Sequence, residues 1–106
     1  MFSTIVLNEK EKKIANEIVG HAEKEGSSKS NWYLGIASNP EDRLFSDHNV
    51  SKDNGWWIYR DAETHNSARK IESYLLDTCR FDGGPGGGDY TTKFVYAYRK
   101  THTTNP

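Results

Sequence analysis

Glu72 is the most informative single residue of this sequence. It lies in a segment from about Ser67 to Cys79 that contains no glycine or proline and that predicts a helix. At about 100° per residue, the apolar side chains of this helix span an arc of roughly 140°, and Glu72 falls inside that arc. An inward carboxylate is costly unless it is paired or bound to a metal ion. Glu72 therefore either pairs with a basic residue such as Arg69 or serves a functional site.

A second group of chemically active residues lies in the segment 33–49, YLGIASNPEDRLFSDHN. It begins with Tyr33, continues through a turn of small residues, and then carries Arg43 and His48. Each of these three residues also has a purely structural explanation. Tyr33 fits a core aromatic, Arg43 can pair with Asp47 one helical turn later, and His48 suits a helix carboxyl terminus.

Together these motifs resemble the GIY-YIG nuclease family. In that family a strand ending in Tyr-Ile-Gly precedes a helix with an arginine and often a histidine, and a later helix has the form Ala-x-x-x-Glu-x-x-Leu. Residues 33–35 and 68–75 match those two patterns, and the resemblance covers residues 31–76. The Gly-Ile-Tyr strand that normally comes first, and supplies a tyrosine that helps to activate water, has no counterpart before Tyr33. Tyr96 and Tyr98 of the last predicted strand are candidates for its place in a rearranged sheet.

The resemblance implies hydrolysis of nucleic-acid phosphodiesters. Glu72 would hold a Mg²⁺ or Mn²⁺ ion. Water molecules and phosphate oxygens would complete the coordination of that ion. Arg43 would donate a bidentate pair of hydrogen bonds to the phosphate, and Tyr33 or His48 would assist proton removal from water. These four residues are the predicted catalytic set.

Aromatic and basic residues provide a candidate surface for nucleic acid. In the strand near 56–61, Trp57 and Tyr59 face the same side, where exposed rings could stack on bases or cover a partner protein. Arg60 and Arg69 are the basic residues predicted to accompany them.

The glycine-rich loop from Asp82 to Asp89 lacks the features of a nucleotide-binding motif. No Gly-Lys-Ser/Thr follows it, and a predicted strand rather than a helix comes next. Its backbone amides could form a phosphate nest, but the flanking acids would repel an anion. A connection between helix and strand is the alternative interpretation.

Composition limits the possible classes of protein. The chain has 106 residues, 34% hydrophobic and 12% aromatic, with 14 basic and 15 acidic residues. The net charge of −1 argues against a strong stand-alone nucleic-acid binder. Apolar runs are too short to span a membrane, and Cys79 alone cannot form an internal disulfide. The amino terminus does not resemble a signal peptide, so a cytoplasmic protein is expected.

The alternation of helical and strand patterns predicts a single α+β domain over residues 1–106. We expect a mixed or antiparallel three-stranded sheet, with strands near 31–37, 56–61 and 92–99. Long helices are expected near 9–25 and 67–79, and a short helix from Pro40 to about His48. Residues 101–106 are expected to form a flexible tail.

Two functions of different classes remain open, and a small-ligand or nucleotide binder that uses the glycine loop is a weaker third. One is a metal-dependent nuclease of GIY-YIG type, which the joint placement of Tyr33, Arg43 and Glu72 favours. The other is a non-catalytic regulatory module that binds protein or nucleic acid through Trp57 and Tyr59. The missing first strand and the near-neutral charge favour this alternative.

Overall fold

The computed structural model describes residues 5–84 and 88–106, and this part of the chain has the predicted α+β fold. The helices and strands are α1 (Glu9–Glu25), β1 (Trp32–Ala37), β2 (Trp57–Asp61), α2 (His65–Asp77) and β3 (Phe94–Arg99). Every predicted long helix and strand is therefore confirmed within two residues of its expected bounds. Within the described ranges, no helix is both long and apolar enough to cross a membrane. The centre of the predicted glycine loop, at 85–87, lies outside the described residues.

β3 is the central strand of the sheet, in the order β1-β3-β2. It pairs antiparallel with both neighbours, which resolves the predicted choice between a mixed and an antiparallel sheet. Gly35 of β1 and Tyr59 of β2 both lie opposite Tyr96 of β3. Tyr96 of the last strand is therefore the point at which the other two strands converge.

The two faces of the sheet have different chemistry. α1 and α2 cover the face that we call the helical face, where the strands contribute Trp32, Leu34, Ile58, Val95 and Ala97. The opposite face, which we call the aromatic face, carries Tyr33, Trp57, Tyr59, Tyr96 and Tyr98. Alternation of side chains along each strand separates the two sets. The apolar core is on the helical face, and the polar ends of the aromatic rings are on the other.

Side-chain caps determine where the long helices begin. Asn8 and Glu11 form the predicted capping box of α1, with each side chain bonded to the backbone of the other at 2.8 Å. α2 begins two residues earlier than predicted, because the side chain of Thr64 accepts a hydrogen bond from the backbone amide of Ser67. Glu11 also accepts a bond from the Ser67 hydroxyl at 2.6 Å, which ties the two helix starts together.

The short helix begins at Pro40 as predicted, but its main part, Asp42–Asp47, is π-helical rather than α-helical. Asn39 caps it by accepting from the amide of Asp42 at 3.1 Å. The amide of His48 donates to the carbonyl of Arg43, five residues earlier, at 2.8 Å. This wider turn packs against the aromatic face through Leu44, which is fully buried. π-Helical turns are often found at functional sites.

Residues 81–83 cover the outer edge of β1. The amide of Asp82 donates to the carbonyl of Trp32, and the carbonyl of Asp82 accepts from Leu34, at 2.9 and 2.8 Å. Gly83 follows with a φ of +143°, a conformation that favours glycine. A Cβ atom there would collide with the carbonyl oxygen of Leu34. The edge of the sheet is therefore protected by a segment that requires glycine at this position.

We predict that Gly83→Ala lowers the free energy of unfolding by about 1–3 kcal/mol, because it adds backbone strain and a collision with β1. Denaturation in urea measures the change. Gly20→Ala is the matched control, since a Cβ there meets nothing within 4 Å and alanine favours the interior of α1. We expect this control to stabilise the protein by about 0.5–1 kcal/mol. Equal stability of Gly83→Ala and wild type would contradict the edge contact.

Candidate functional site

Tyr96 is the centre of a polar cluster on the aromatic face. Its side chain is fully buried and lies across the strand pair from Gly35. A Cβ atom on residue 35 would lie 2.5 Å from the Tyr96 hydroxyl oxygen. The glycine of the YLG tripeptide therefore leaves the space that this hydroxyl occupies.

The Tyr96 hydroxyl contacts both polar residues of the helical turn at 42–48. It lies 2.7 Å from Nε2 of His48 and 3.5 Å from Nη2 of Arg43. The other terminal nitrogen of Arg43 is 3.2 Å from the carboxylate of Asp47, the ion pair expected one turn away. Arg43 thus connects an exposed ion pair to a buried phenol.

His48 is enclosed by aromatic rings and is 4% exposed. The ring centroids of Tyr33 and Tyr98 lie 4.9 and 4.8 Å from its imidazole, and that of Tyr96 lies 5.5 Å away. Its Nδ1 atom is 2.6 Å from the carbonyl oxygen of Asn105. The structure therefore brings together three residues of the predicted catalytic set, Tyr33, Arg43 and His48.

Burial keeps both groups of the central hydrogen bond uncharged near neutral pH. It lowers the pKa of His48, an effect that the Asn105 carbonyl partly opposes. Burial also raises the pKa of Tyr96, while the hydrogen bond from Arg43 acts in the opposite direction. A neutral imidazole beside a protonated phenol can accept a proton, which is what a general base requires.

A surface cleft of about 430 Å³ adjoins this cluster. Arg43 belongs to both, since it also lines the cleft together with Ile36, Ala37, Ser38, Asn39, Asp42, Gly88 and Thr92. The cleft is a route by which a phosphate could reach the guanidinium group.

Glu72, the fourth predicted catalytic residue, is held on the buried side of α2 and is 1% exposed. Its Oε1 atom is 3.9 Å from Nε of Arg69, the basic neighbour expected from the sequence. Its charge helps to raise the pKa of Tyr96, an effect secondary to burial. Arg69 is therefore one ion-pair partner of Glu72.

Glu72 does not belong to a cluster of metal-ligating side chains in the described part of the chain. Across residues 5–84 and 88–106, no group of three or more His, Cys, Asp or Glu side chains could hold a metal ion. Mg²⁺ can be bound by one carboxylate, but it then retains several water ligands. Because Glu72 is 1% exposed, neighbouring side chains would have to move before those waters could enter.

Two of the residues predicted to bind nucleic acid, Trp57 and Tyr59, lie together on the aromatic face. Their rings are stacked with centroids 6.0 Å apart and planes 12° apart. Trp57 donates from Nε1 to the carbonyl of Lys52, and Tyr59 donates from its hydroxyl to Glu41. Both polar atoms are thus used within the protein, and both rings are half-buried, with Trp57 also against Phe45 and Tyr59 against Phe94.

The two predicted arginines do not share that face. Arg60 pairs with Glu17 of α1 at 3.0 Å, and Arg69 lies on α2 beside Glu72. Arg60 nevertheless donates to the carbonyl of Tyr59 at 2.9 Å and lines one surface pocket with Trp57 and Tyr59.

Sequence reasoning named Tyr96 and Tyr98 only as candidates and missed Asn105. Alternation in FVYAYR was the available signal, because it placed both tyrosines on one face. Nothing comparable marks Asn105, which acts through main-chain atoms.

Comparison of the chain with protein-family models, curated proteins and solved structures found no match. The motif pattern and the geometry of the cluster are therefore the basis for proposing a function.

We predict that His48 makes stability depend on pH. Its folded-state pKa lies below the value of about 6.5 in an unfolded chain. The unfolded state consequently binds more protons, and stability present above about pH 6.5 is lost as the pH falls through the folded pKa. His21 has a pKa lowered mainly by burial, so it contributes in the same direction.

Urea denaturation at a series of pH values between about 7.5 and 5.5 tests this prediction. His48→Gln should make the stability profile flatter, and His21→Gln should remove a separate part of the slope. An unchanged slope in His48→Gln would contradict the assignment.

Proposed function

We propose that this protein is a nuclease of GIY-YIG type that hydrolyses nucleic-acid phosphodiesters. The observation that carries the proposal is the position of the Tyr96 hydroxyl, beside Gly35 and between Arg43 and His48. In the family that the sequence resembles, a strand before the Tyr-Ile-Gly strand supplies a tyrosine. Here β3 pairs antiparallel with the YLG strand and provides Tyr96 beside Gly35, although β3 follows the YLG strand in the chain instead of preceding it.

Arg43 would bind and orient the phosphate. Its guanidinium lines the cleft, and an incoming phosphate would replace Asp47 as its partner. The same charge would stabilise the additional negative charge that develops on the phosphate in the transition state.

Tyr96 and His48 would remove the proton from an attacking water that enters from the cleft past Arg43, since the Tyr96 side chain is itself fully buried. As the water oxygen bonds to phosphorus, its proton passes to the Tyr96 oxygen, and the Tyr96 proton passes to Nε2 of His48. The bond from phosphorus to the leaving oxygen breaks, and solvent protonates that oxygen. Tyr33, whose ring packs against His48, would hold the imidazole in place.

The resemblance also implies Mg²⁺ or Mn²⁺ at Glu72, where the ion would supply further charge stabilisation for the phosphate. The burial of Glu72 opposes this, so metal dependence is a separate proposal with a separate test. We further propose a cytoplasmic location, since a chain with one cysteine needs no oxidising compartment.

Burial of Glu72 favours a second candidate function, a non-catalytic binding module. The ring surfaces of Trp57 and Tyr59 would contact nucleic acid or protein. In this case Arg43 would keep Asp47 as its partner, and no substrate would be cleaved.

We predict that Tyr96→Phe slows nucleic-acid cleavage by about 10²–10⁴-fold, because it removes the hydroxyl that carries the proton to His48. The assay follows labelled DNA and RNA with and without Mg²⁺ or Mn²⁺. Tyr74→Phe is the matched control, because Tyr74 packs with Cys79 against the helical core, and it should cleave like wild type. Cleavage by Tyr96→Phe at the wild-type rate would rule out the mechanism. A wild-type protein inert on both substrates would favour the binding module.

We predict that Glu72→Gln distinguishes a metal ligand from a structural ion pair. If Glu72 binds the metal, the variant should lose metal-dependent cleavage and keep or gain stability, because the desolvation of a buried carboxylate is relieved. If Glu72 mainly pairs with Arg69, the variant should lose about 1–3 kcal/mol of stability and retain any activity. A thermal melt beside the cleavage assay separates these outcomes.

A further inference from the structure

The segment after β3 returns to the candidate site. The amide of Asn105 donates to the carbonyl of His48 at 2.8 Å, and the side-chain amide of Asn49 donates to the carbonyl of Thr103 at 3.0 Å. A turn at 101–104, closed by a bond from the amide of Thr104 to the carbonyl of Thr101, directs the chain back. Residues predicted to form a flexible tail are therefore bonded to the end of the π-helical turn.

This segment determines which imidazole nitrogen of His48 carries the proton. A carbonyl oxygen can only accept a hydrogen bond, and that of Asn105 lies 2.6 Å from Nδ1. Nδ1 must therefore be protonated. The Tyr98 hydroxyl lies 3.0 Å from the same nitrogen but cannot donate to it, because Nδ1 already carries a proton. It donates instead to the Asn105 carbonyl, 3.4 Å away.

The position of that proton fixes the direction of the next hydrogen bond. A neutral imidazole with a proton on Nδ1 has a lone pair on Nε2. The Tyr96 hydroxyl, 2.7 Å from Nε2, must then be the donor. Protonated on Nε2 instead, His48 would donate to Tyr96 and could not accept its proton.

We propose that the main-chain carbonyl of Asn105 is a positioning element of the candidate site, which selects the tautomer of His48 that can accept a proton from Tyr96. Its catalytic consequence rests on the proposed nuclease function, whereas the tautomer itself does not. When His48 gains a proton, the same carbonyl faces the N–H of the imidazolium ion and stabilises its charge.

Long-range ¹⁵N–¹H correlation spectra of the histidine rings test the proposal on the full chain. We expect the wild-type protein to show His48 with a protonated Nδ1 and an unprotonated Nε2. Asn105→Ala should give the same tautomer, because it keeps the carbonyl. Tyr98→Phe should also leave it unchanged, because the carbonyl alone requires the proton on Nδ1.

Asn105→Pro is the disruptive variant, because it removes the amide that anchors residue 105 to His48 and displaces the carbonyl. Asn49→Gly is a second one, since glycine tolerates the φ of +56° at this position but lacks the amide that holds Thr103. Each variant should give a mixture of His48 tautomers. A cooperative thermal melt checks that the variant is still folded when its spectrum is recorded. Their cleavage rates should fall about tenfold or more, as expected for impaired general-base catalysis.

A wild-type His48 protonated on Nε2 would overturn the proposal, as would a tautomer that neither disruptive variant changes. If the tautomer responds as expected but wild-type protein cleaves neither DNA nor RNA, the selection of the tautomer by Asn105 is supported and the nuclease function fails. The spectra and the cleavage assay therefore separate the two failures.

Discussion

The close approach of the Tyr96 ring to the backbone of Gly35 is the contact on which the candidate site depends. Two antiparallel strands normally present a side chain at each position of a cross-strand pair, and here one is missing. The vacant volume accepts a phenol hydroxyl and directs it towards Arg43 and His48. Any side chain at residue 35 would push Tyr96 away, and the hydrogen bonds that organise the cluster would be lost.

The aromatic face shows how a small protein can bury a polar network. Every group in its centre is neutral, and the hydrogen bonds run from the hydroxyl of Tyr96 to His48 and from His48 to the carbonyl of Asn105. Burial without such partners would be costly, whereas a fully satisfied network makes the site rigid. Charge is kept at the rim, where Arg43 meets solvent and Asp47. The helical face contains most of the apolar core, although it also buries the carboxylates of Glu11 and Glu72.

What could be predicted from the sequence was local. The capping box at Asn8 and the alternation along the last strand depend on residues near each other in the chain, so they are visible in the sequence itself. The order β1-β3-β2 depends on pairings between distant segments, which neither propensity nor periodicity specifies. Tyr33, Arg43 and His48 were selected through a motif and do lie together. Asn105 was missed because its contacts use backbone atoms that every residue type possesses.

The central position of β3 also has a consequence for biosynthesis. β1 and β2 pair with β3 and not with each other, yet both leave the ribosome before it. During translation the two earlier strands therefore have no strand partner, and their edges are open to other chains. Closing the sheet requires contacts between remote segments, which slows folding. The polar cluster of the aromatic face and the hydrophobic core both include residues of β3, so neither can be completed until β3 has been made, and a chaperone would have the most to protect before then.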